Sequence, residues 1–353
     1  MNTDETGLLH AIYDEPFDVV PRRVYADWLE EHGATGLAVL QRMWMPDGSH
    51  LKTDEWKQGE QRLLDEVREH CPEGVIVELD GRLVLRATLP GDWPADSVSA
   101  LDDLHRWMSE HHIQGLQLPL PCHDFPQLFD HPLVGDLRQL MPQRVQLTSF
   151  LERRTHGFSL EGLLHLYLER SPLKVEHLCR LLESDLFPHL LGLSLPERPF
   201  AALELRRLFG SPTSRHLSQI VWHLGEHPYW KEADLLDLEP LVNVRELVFH
   251  VQDKSKEALL ALRILPHLFP QLESFSINNV TNRIMSRIIG QLPVEQLRAI
   301  RLSTDRLAEA EKIVHLAEGI GPTGLLTVKD PFLLPAMRDR LREMLGPRFR
   351  HEM

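Results

Sequence analysis

The chain has 353 residues, a length that suggests about two domains. Its 42% hydrophobic and 25% charged content is that of a folded protein with a large core. The formal net charge is −14, and residues 1–70 alone hold 15 acids against 7 bases. This argues against a nucleic acid or an anionic membrane as partner, because both are held by basic clusters that displace counterions.

In chain order, the amino terminus MNTDETGLLH lacks the basic start and apolar stretch of a signal peptide. No run reaches the 18 or so apolar residues of a membrane span. Cys71, Cys122 and Cys179 are odd in number and widely spaced, which fits neither a disulfide framework nor a paired-thiolate zinc site. The expectation is a cytoplasmic protein with reduced thiols.

The first 70 residues read as an all-α domain of short helices. Leu8, Leu9, Ile12 and Tyr13 share one helical face, and Val24, Tyr25, Trp28 and Leu29 repeat that spacing after Pro21. Gly33 ends the second helix because it is free to adopt positive φ. A third helix is expected over Gly36–Met45. A fourth is expected from about Thr53 to His70, with Trp56, Leu63, Leu64 and Val67 inward, and Met45–His50 forms the turn between them. Asp27, Glu30 and Glu31 are expected to face water or to pair with Arg22 and Arg23.

The stretch LLHAIYDEPFDVVPRRVYADWLEEHG, Leu8 to Gly33, and within it VYADWLEEHG above all, resembles the bacterial repeat-companion domain found at the head of leucine-rich repeat proteins. The match weakens after Gly33, where Thr35, Gly36, Leu37 and Ala38 stand in place of the family's Arg-Ala-Glu phrase. The resemblance implies a bacterial protein in which this small domain precedes a repeat array. It implies no catalytic activity.

From Val75 the pattern turns to strand. Asp80-Gly81 lies between two β-rich runs and predicts a two-residue hairpin turn, because both turn positions tolerate positive φ. The strand Arg82–Leu89 and a helix over Leu101–His111 would cap the array that follows, so residues 71–112 are read as its amino-terminal cap.

A phrase then returns to the end of the chain: an apolar residue, two others, an apolar residue, one other, an apolar residue. It starts at Ile113, Leu137, Leu163, Leu190, Leu217, Val244, Leu272, Leu297 and Thr323. Residues 71–353 are thus one domain with about nine repeats of 24–28 residues, the signature of a solenoid. Nine residues before most starts an apolar residue closes a helical segment: Leu128, Leu181, Leu208, Leu235 and Ile288. Each unit is therefore strand, loop, helix and return. The array resembles the α/β leucine-rich repeat fold, with repeat lengths near those of the ribonuclease-inhibitor class, and the resemblance implies a horseshoe with a parallel sheet on the concave face and helices on the convex face. The position where that fold carries a stabilising asparagine holds Pro121, Val145, Ser171, Arg198, Gly225, Gln252, Val280 and Asp305, so no asparagine ladder can form.

Alternation along each strand sends the neighbours of core leucines to the concave face. The central row there is Gln117, Met141, Tyr167, Ser194, Val221, Val248, Ser276, Arg301 and Thr327. His165, His223 and His250 flank it with Glu169, Glu246 and Asn278. Aromatic residues and arginine anchor protein interfaces, which makes Tyr167 and Arg301 the leading contacts. No glycine-rich phosphate loop, zinc-protease helix motif, nucleophile elbow or paired-cysteine site occurs. His223, Glu226, His227 and His250 are the nearest approach to a metal site, but Gly225 and Pro228 oppose the helix it would require. The expectation is a non-enzymatic scaffold, without cofactor or metal, that binds a protein on the concave face. The alternative is a regulatory or inhibitory subunit of an enzyme, or a weak metal-dependent hydrolase at an unrecognised His/Glu cluster.

Overall fold

The structure is a computed structural model. It describes residues 3–46, 50, 53–80, 83–94, 97–118, 126–142, 160–169, 171, 173–198, 200–224, 230–251, 256–278, 290, 292, 294–303, 310–329, 333 and 335–352. The chain divides into two compact units, residues 1–173 with 184–191, and residues 174–183 with 192–353. Among the described residues it is an α/β protein with twelve strands, mostly parallel. No helix is long and apolar enough to cross a membrane among those residues.

The first unit begins with four helices: α1 (Thr3–Asp14), α2 (Val19–Glu31), α3 (Thr35–Met43) and α4 (Asp54–Glu69). Their starts follow from local chemistry. The Asp18 carboxylate accepts from the Val20 N–H at 2.9 Å, and Thr53 Oγ1 accepts from the Trp56 N–H at 3.1 Å. Gly33, with φ +85°, closes α2, and the Ala34 N–H reaches back to the Leu29 carbonyl. Tyr25, Ala26, Leu29, Leu37, Leu40, Trp56, Leu63 and Val67 are buried, as their spacing predicts.

Two expectations here are corrected. Val24 is 47% exposed rather than inward. Arg22 is buried, donates to Gln41 Oε1 at 3.1 Å and lies 3.9 Å from the Trp44 ring centroid. Asp27 and Glu30 face water as expected, but their partner is Arg42 of α3 rather than Arg22 or Arg23.

The hairpin β1 (Ile76–Leu79) and β2 (Leu85–Thr88) is antiparallel, with Leu79 opposite Leu85. The connection is therefore five residues, not the two-residue turn that Asp80-Gly81 suggests. Asp80 closes it: its carboxylate accepts from the Val84 N–H at 2.8 Å, its carbonyl accepts from the Leu83 N–H, and Leu83 takes φ 65°. Gly81 and Arg82 lie outside the described residues. Next come α5 (Val98–Glu110), β3 (Gly115–Gln117), α6 (Pro126–Asp130), α7 (Pro132–Asp136), β4 (Gln139–Met141) and β5 (His165–Tyr167). Strand β2 pairs parallel with β3, β3 with β4, and β4 with β5.

The second unit holds α8 (Val175–Leu182), β6 (Gly192–Ser194), α9 (Ala202–Phe209), β7 (Gln219–Leu224), α10 (Glu232–Leu236), β8 (Glu246–Val251) and α11 (Lys256–Leu268). It ends with β9 (Ser274–Asn278), β10 (Ala299–Ser303), α12 (Ala310–Gly319), β11 (Leu325–Lys329), α13 (Pro335–Leu345) and β12 (Phe349–Glu352). Its strands pair parallel in chain order. Every one of the nine phrases carries a strand that begins two residues past its first position. A tenth strand, β12, pairs with β11 although Gly346 and His351 hold the first and sixth places, where the phrase requires apolar residues.

The fourth and sixth phrase positions point inward. Leu193, Ile220, Leu247, Phe275, Ile300, Leu326 and Phe349 form one buried row. The next row includes Trp222, Phe249, Ile277, Leu302 and Val328, with Trp222 and Phe249 edge to face at 5.7 Å between centroids. Leu128, Leu181, Leu208 and Leu235 close helices and are buried, whereas Ile288 lies outside the described residues. Ion pairs cross between successive units on the helix side, among them Arg207 with Glu183, Arg206 with Asp237, and Arg263 with Glu232.

Candidate functional site

The side of the sheet opposite the buried rows carries the expected contacts in three outward rows. In the second unit the rows on β7, β8 and β9 are Gln219, Glu246, Ser274; then Val221, Val248, Ser276; then His223, His250, Asn278. Glu246, Val248 and His250 are half-exposed, but Val221, Ser276 and His223 are buried. Arg301, on β10 beside Ser276, is exposed. In the first unit Gln117, Met141 and Tyr167 are half-exposed, while His165 is only 1% exposed.

Ser194, expected as a solvent-facing position, is 2% exposed. A short side chain on an inner strand sits below the height of its neighbours, here Val221, so facing outward does not make it accessible.

The third outward row has its own geometry. The His223 and His250 rings stack at 4.2 Å between centroids with 9° between their planes. Asn278 Nδ2 lies 2.9 Å from His250 Nδ1, and Glu197 lies 3.9 Å from His223 Nδ1. Lone pairs of an imidazole lie in its plane, so two parallel stacked rings do not converge on one ion. His227 and Glu226 lie outside the described residues.

The first unit contains a polar network that the sequence reading does not anticipate. Glu5, in the first turn of α1, is buried; its Oε2 accepts from Arg138 at 3.1 Å and its Oε1 accepts from Gln114 and from the Tyr25 hydroxyl. Arg138 also donates to the Gly162 carbonyl at 3.4 Å. Burial, and after it the Glu5 carboxylate, push the Tyr25 phenol well above its ordinary pKa. Further along α1, Tyr13 lies 4.6 Å from the His165 ring and His10 packs edge to face on His189 at 5.6 Å. The only sequence signal for Glu5 is an acid in the first helical turn, which reads equally well as a partner for the helix dipole.

Beside this network is a cleft of about 160 Å³, lined by Trp28, Met108, His112, Gln114, Leu133 and Asp136 among others. His105 Nε2 meets Asp136 at 2.7 Å on its rim. His112 has φ 52° at the end of α5, and burial holds its imidazole below its ordinary pKa. With Glu5 and Arg138 neutralising each other, the cleft offers mixed polarity and no strong field of either sign.

A comparison with protein-family models returns no match for this chain, and a search of curated proteins returns none either.

Proposed function

We propose that the chain is a leucine-rich repeat scaffold, a horseshoe headed by a repeat-companion domain, that binds a protein partner across the concave side of its sheet. The observation that carries the reading is the contrast between the two sides of the strands. Inward rows are almost wholly aliphatic and aromatic residues, while outward rows offer Tyr167, Met141, Val248, Glu246, His250 and Arg301 with surface to spare. Aromatic, methionine and arginine side chains set among polar neighbours are the composition of protein-binding patches. The widely spaced thiols support a reducing, cytoplasmic setting.

The test is site-specific photocrosslinking in native cells, with the reactive residue placed at Tyr167, Val248 or Arg301, and at Leu203 on α9 as control. Recovery of one partner from the sheet positions and not from Leu203 is the expected result. Recovery from Leu203 alone, or from no position, overturns the reading.

A further inference from the structure

The cleft beside Glu5 is distinguished by which hydrogen-bonding groups it leaves free. Glu5 takes up the donors next to it, since Arg138, Gln114 and the Tyr25 hydroxyl all donate to that one carboxylate. Arg138 Nε, which meets no acceptor, is too deeply buried to reach a ligand. The other lining side chains are left with acceptors. Asp136 accepts from His105 Nε2 through Oδ2, and its side chain is 56% exposed with Oδ1 unclaimed. A neutral His105 that donates from Nε2 carries its lone pair on Nδ1. Ser109 donates to the His105 carbonyl at 2.8 Å and retains the lone pairs of its oxygen. Gln114 donates to Glu5 from its amide nitrogen, which leaves Oε1. Burial holds the His112 ring neutral, and its hydrogen bond to the His32 backbone occupies one ring nitrogen, so the other accepts. All five of these side chains keep accessible surface.

We propose that this cleft is a binding site for a guanidinium group, the head of an arginine side chain. The inference goes beyond the scaffold reading, because none of the five residues belongs to the outward sheet rows, and either can fail without the other. A guanidinium carries five N–H donors and no acceptor, whereas a carboxylate or phosphate would face this wall with acceptors alone. An ammonium donates from one point and is strongly hydrated. The planar fork is more weakly hydrated and can reach acceptors set on separate elements, here α5, the approach to β3 and the end of α7. Met108 and Leu133 give an apolar flank for the three-carbon stem. With Glu5 matched by Arg138, Asp136 is the lining carboxylate left to answer the positive charge. At about 160 Å³ the cleft suits one side chain, being smaller than the roughly 300 to 1,000 Å³ that enclose larger ligands.

The probe is N-acetyl-arginine methylamide, titrated into the full chain at constant ionic strength beside the matching citrulline and lysine derivatives. Backbone amides are followed by NMR. Saturable shifts confined to residues 105–114 and 133–138 and the neighbourhood of Trp28 are expected. Binding should be at least tenfold weaker for citrulline, which keeps the length and replaces the guanidinium by a neutral urea. It should weaken at least as much in Asp136→Asn, with the melting temperature as the check on folding. The citrulline comparison uses the unaltered chain, so it decides even if that variant folds poorly. No saturable shift, or citrulline bound as tightly as arginine, overturns the site. Lysine bound as tightly overturns the choice of guanidinium. A Gly-Gly-Arg-Gly-Gly peptide and free L-arginine then distinguish the source. Equal or tighter binding of the peptide supports an arginine within a partner protein, and tenfold tighter binding of the free amino acid supports a small-molecule site, both with the guanidinium as the recognised group.

Discussion

The second position of several repeat phrases, just ahead of the strand, carries polar side chains in both units, but the two units neutralise them by different means. In the first unit the position holds Gln114 and Arg138, and the acid that joins them is Glu5, brought by α1. In the second unit it holds Arg245, Glu273 and Arg298, and the acid belongs to the repeats themselves. Glu273 meets Arg245 at 2.6 Å and Arg298 at 3.3 Å. One edge is therefore self-sufficient and the other is completed by a helix remote in sequence. The outward row beside each edge follows suit. Gln139 and His165 are buried, under Asp80 and Tyr13, whereas Gln219, Glu246, Ser274, Ala299 and Leu325 keep surface. One stretch of sheet thus holds the amino-terminal helices, while another stays open.

The strongest way to break this comparison is Glu5→Gln, which strands the buried Arg138 charge. The expected loss is about 3 to 5 kcal/mol in denaturant titration of the full chain. Glu273→Gln should cost no more than about 1 kcal/mol, because its arginines reach water. Equal losses would mean that the two edges are not built differently. Core truncation gives a scale between these. Leu193→Ala should cost about 2 to 5 kcal/mol, and Arg301→Ala should stay within about 0.5 kcal/mol.

Acid should sharpen the contrast. Burial, and then His189, hold the His10 imidazole below its ordinary value near 6.5, with Asp14 offsetting part of the shift. The unfolded chain therefore takes up protons first as pH falls through about 6.5. This stability is present above that pH and is lost below it, down to the depressed native value. The protection of the α1 amides, with the intrinsic exchange rate at each pH divided out, is expected to be lower at pH 5.5 than at pH 7.5, and His10→Asn should flatten the change. No difference in α1 between the two pH values would remove His10 from the docking.

The smallest effect concerns thiols. Burial pushes Cys179, on α8 of the second unit, up to about 11, and raises the half-buried Cys71 of the first unit as well. At neutral pH both should react with a disulfide reagent far more slowly than in the unfolded chain, and identifying each modified peptide reports which unit opens first. Immediate reaction of Cys179 in the native protein would contradict its burial.

The strands were legible because core rows demand apolar side chains at a fixed interval, and Leu247 with Phe249 satisfies that demand as openly as any pair in the array. Strand β12 was not, because its pairing with β11 is made by backbone and survives Gly346 and His351 at apolar phrase positions. The hairpin misled in detail. Asp80-Gly81 favours a tight turn locally, but the register of Leu79 with Leu85 lengthens the loop. Among site residues, side of sheet was legible and accessibility was not. His165 and Ser194 point outward as alternation requires, yet their exposure depends on Tyr13 and on neighbouring side-chain height, and neither is a property of the residue's own strand.

The ion pair of Glu5 with Arg138 spans 133 residues of chain, whereas strands within each unit pair with partners roughly one repeat away. On a ribosome adding about 5 to 20 residues per second, Arg138 is made roughly 7 to 27 s after Glu5. Until then the acid has Tyr25 for company but no cation, so α1 cannot complete its seat while the head alone has been synthesised. The order of synthesis thus makes the first helix to leave the ribosome wait for the fourth strand before it can dock.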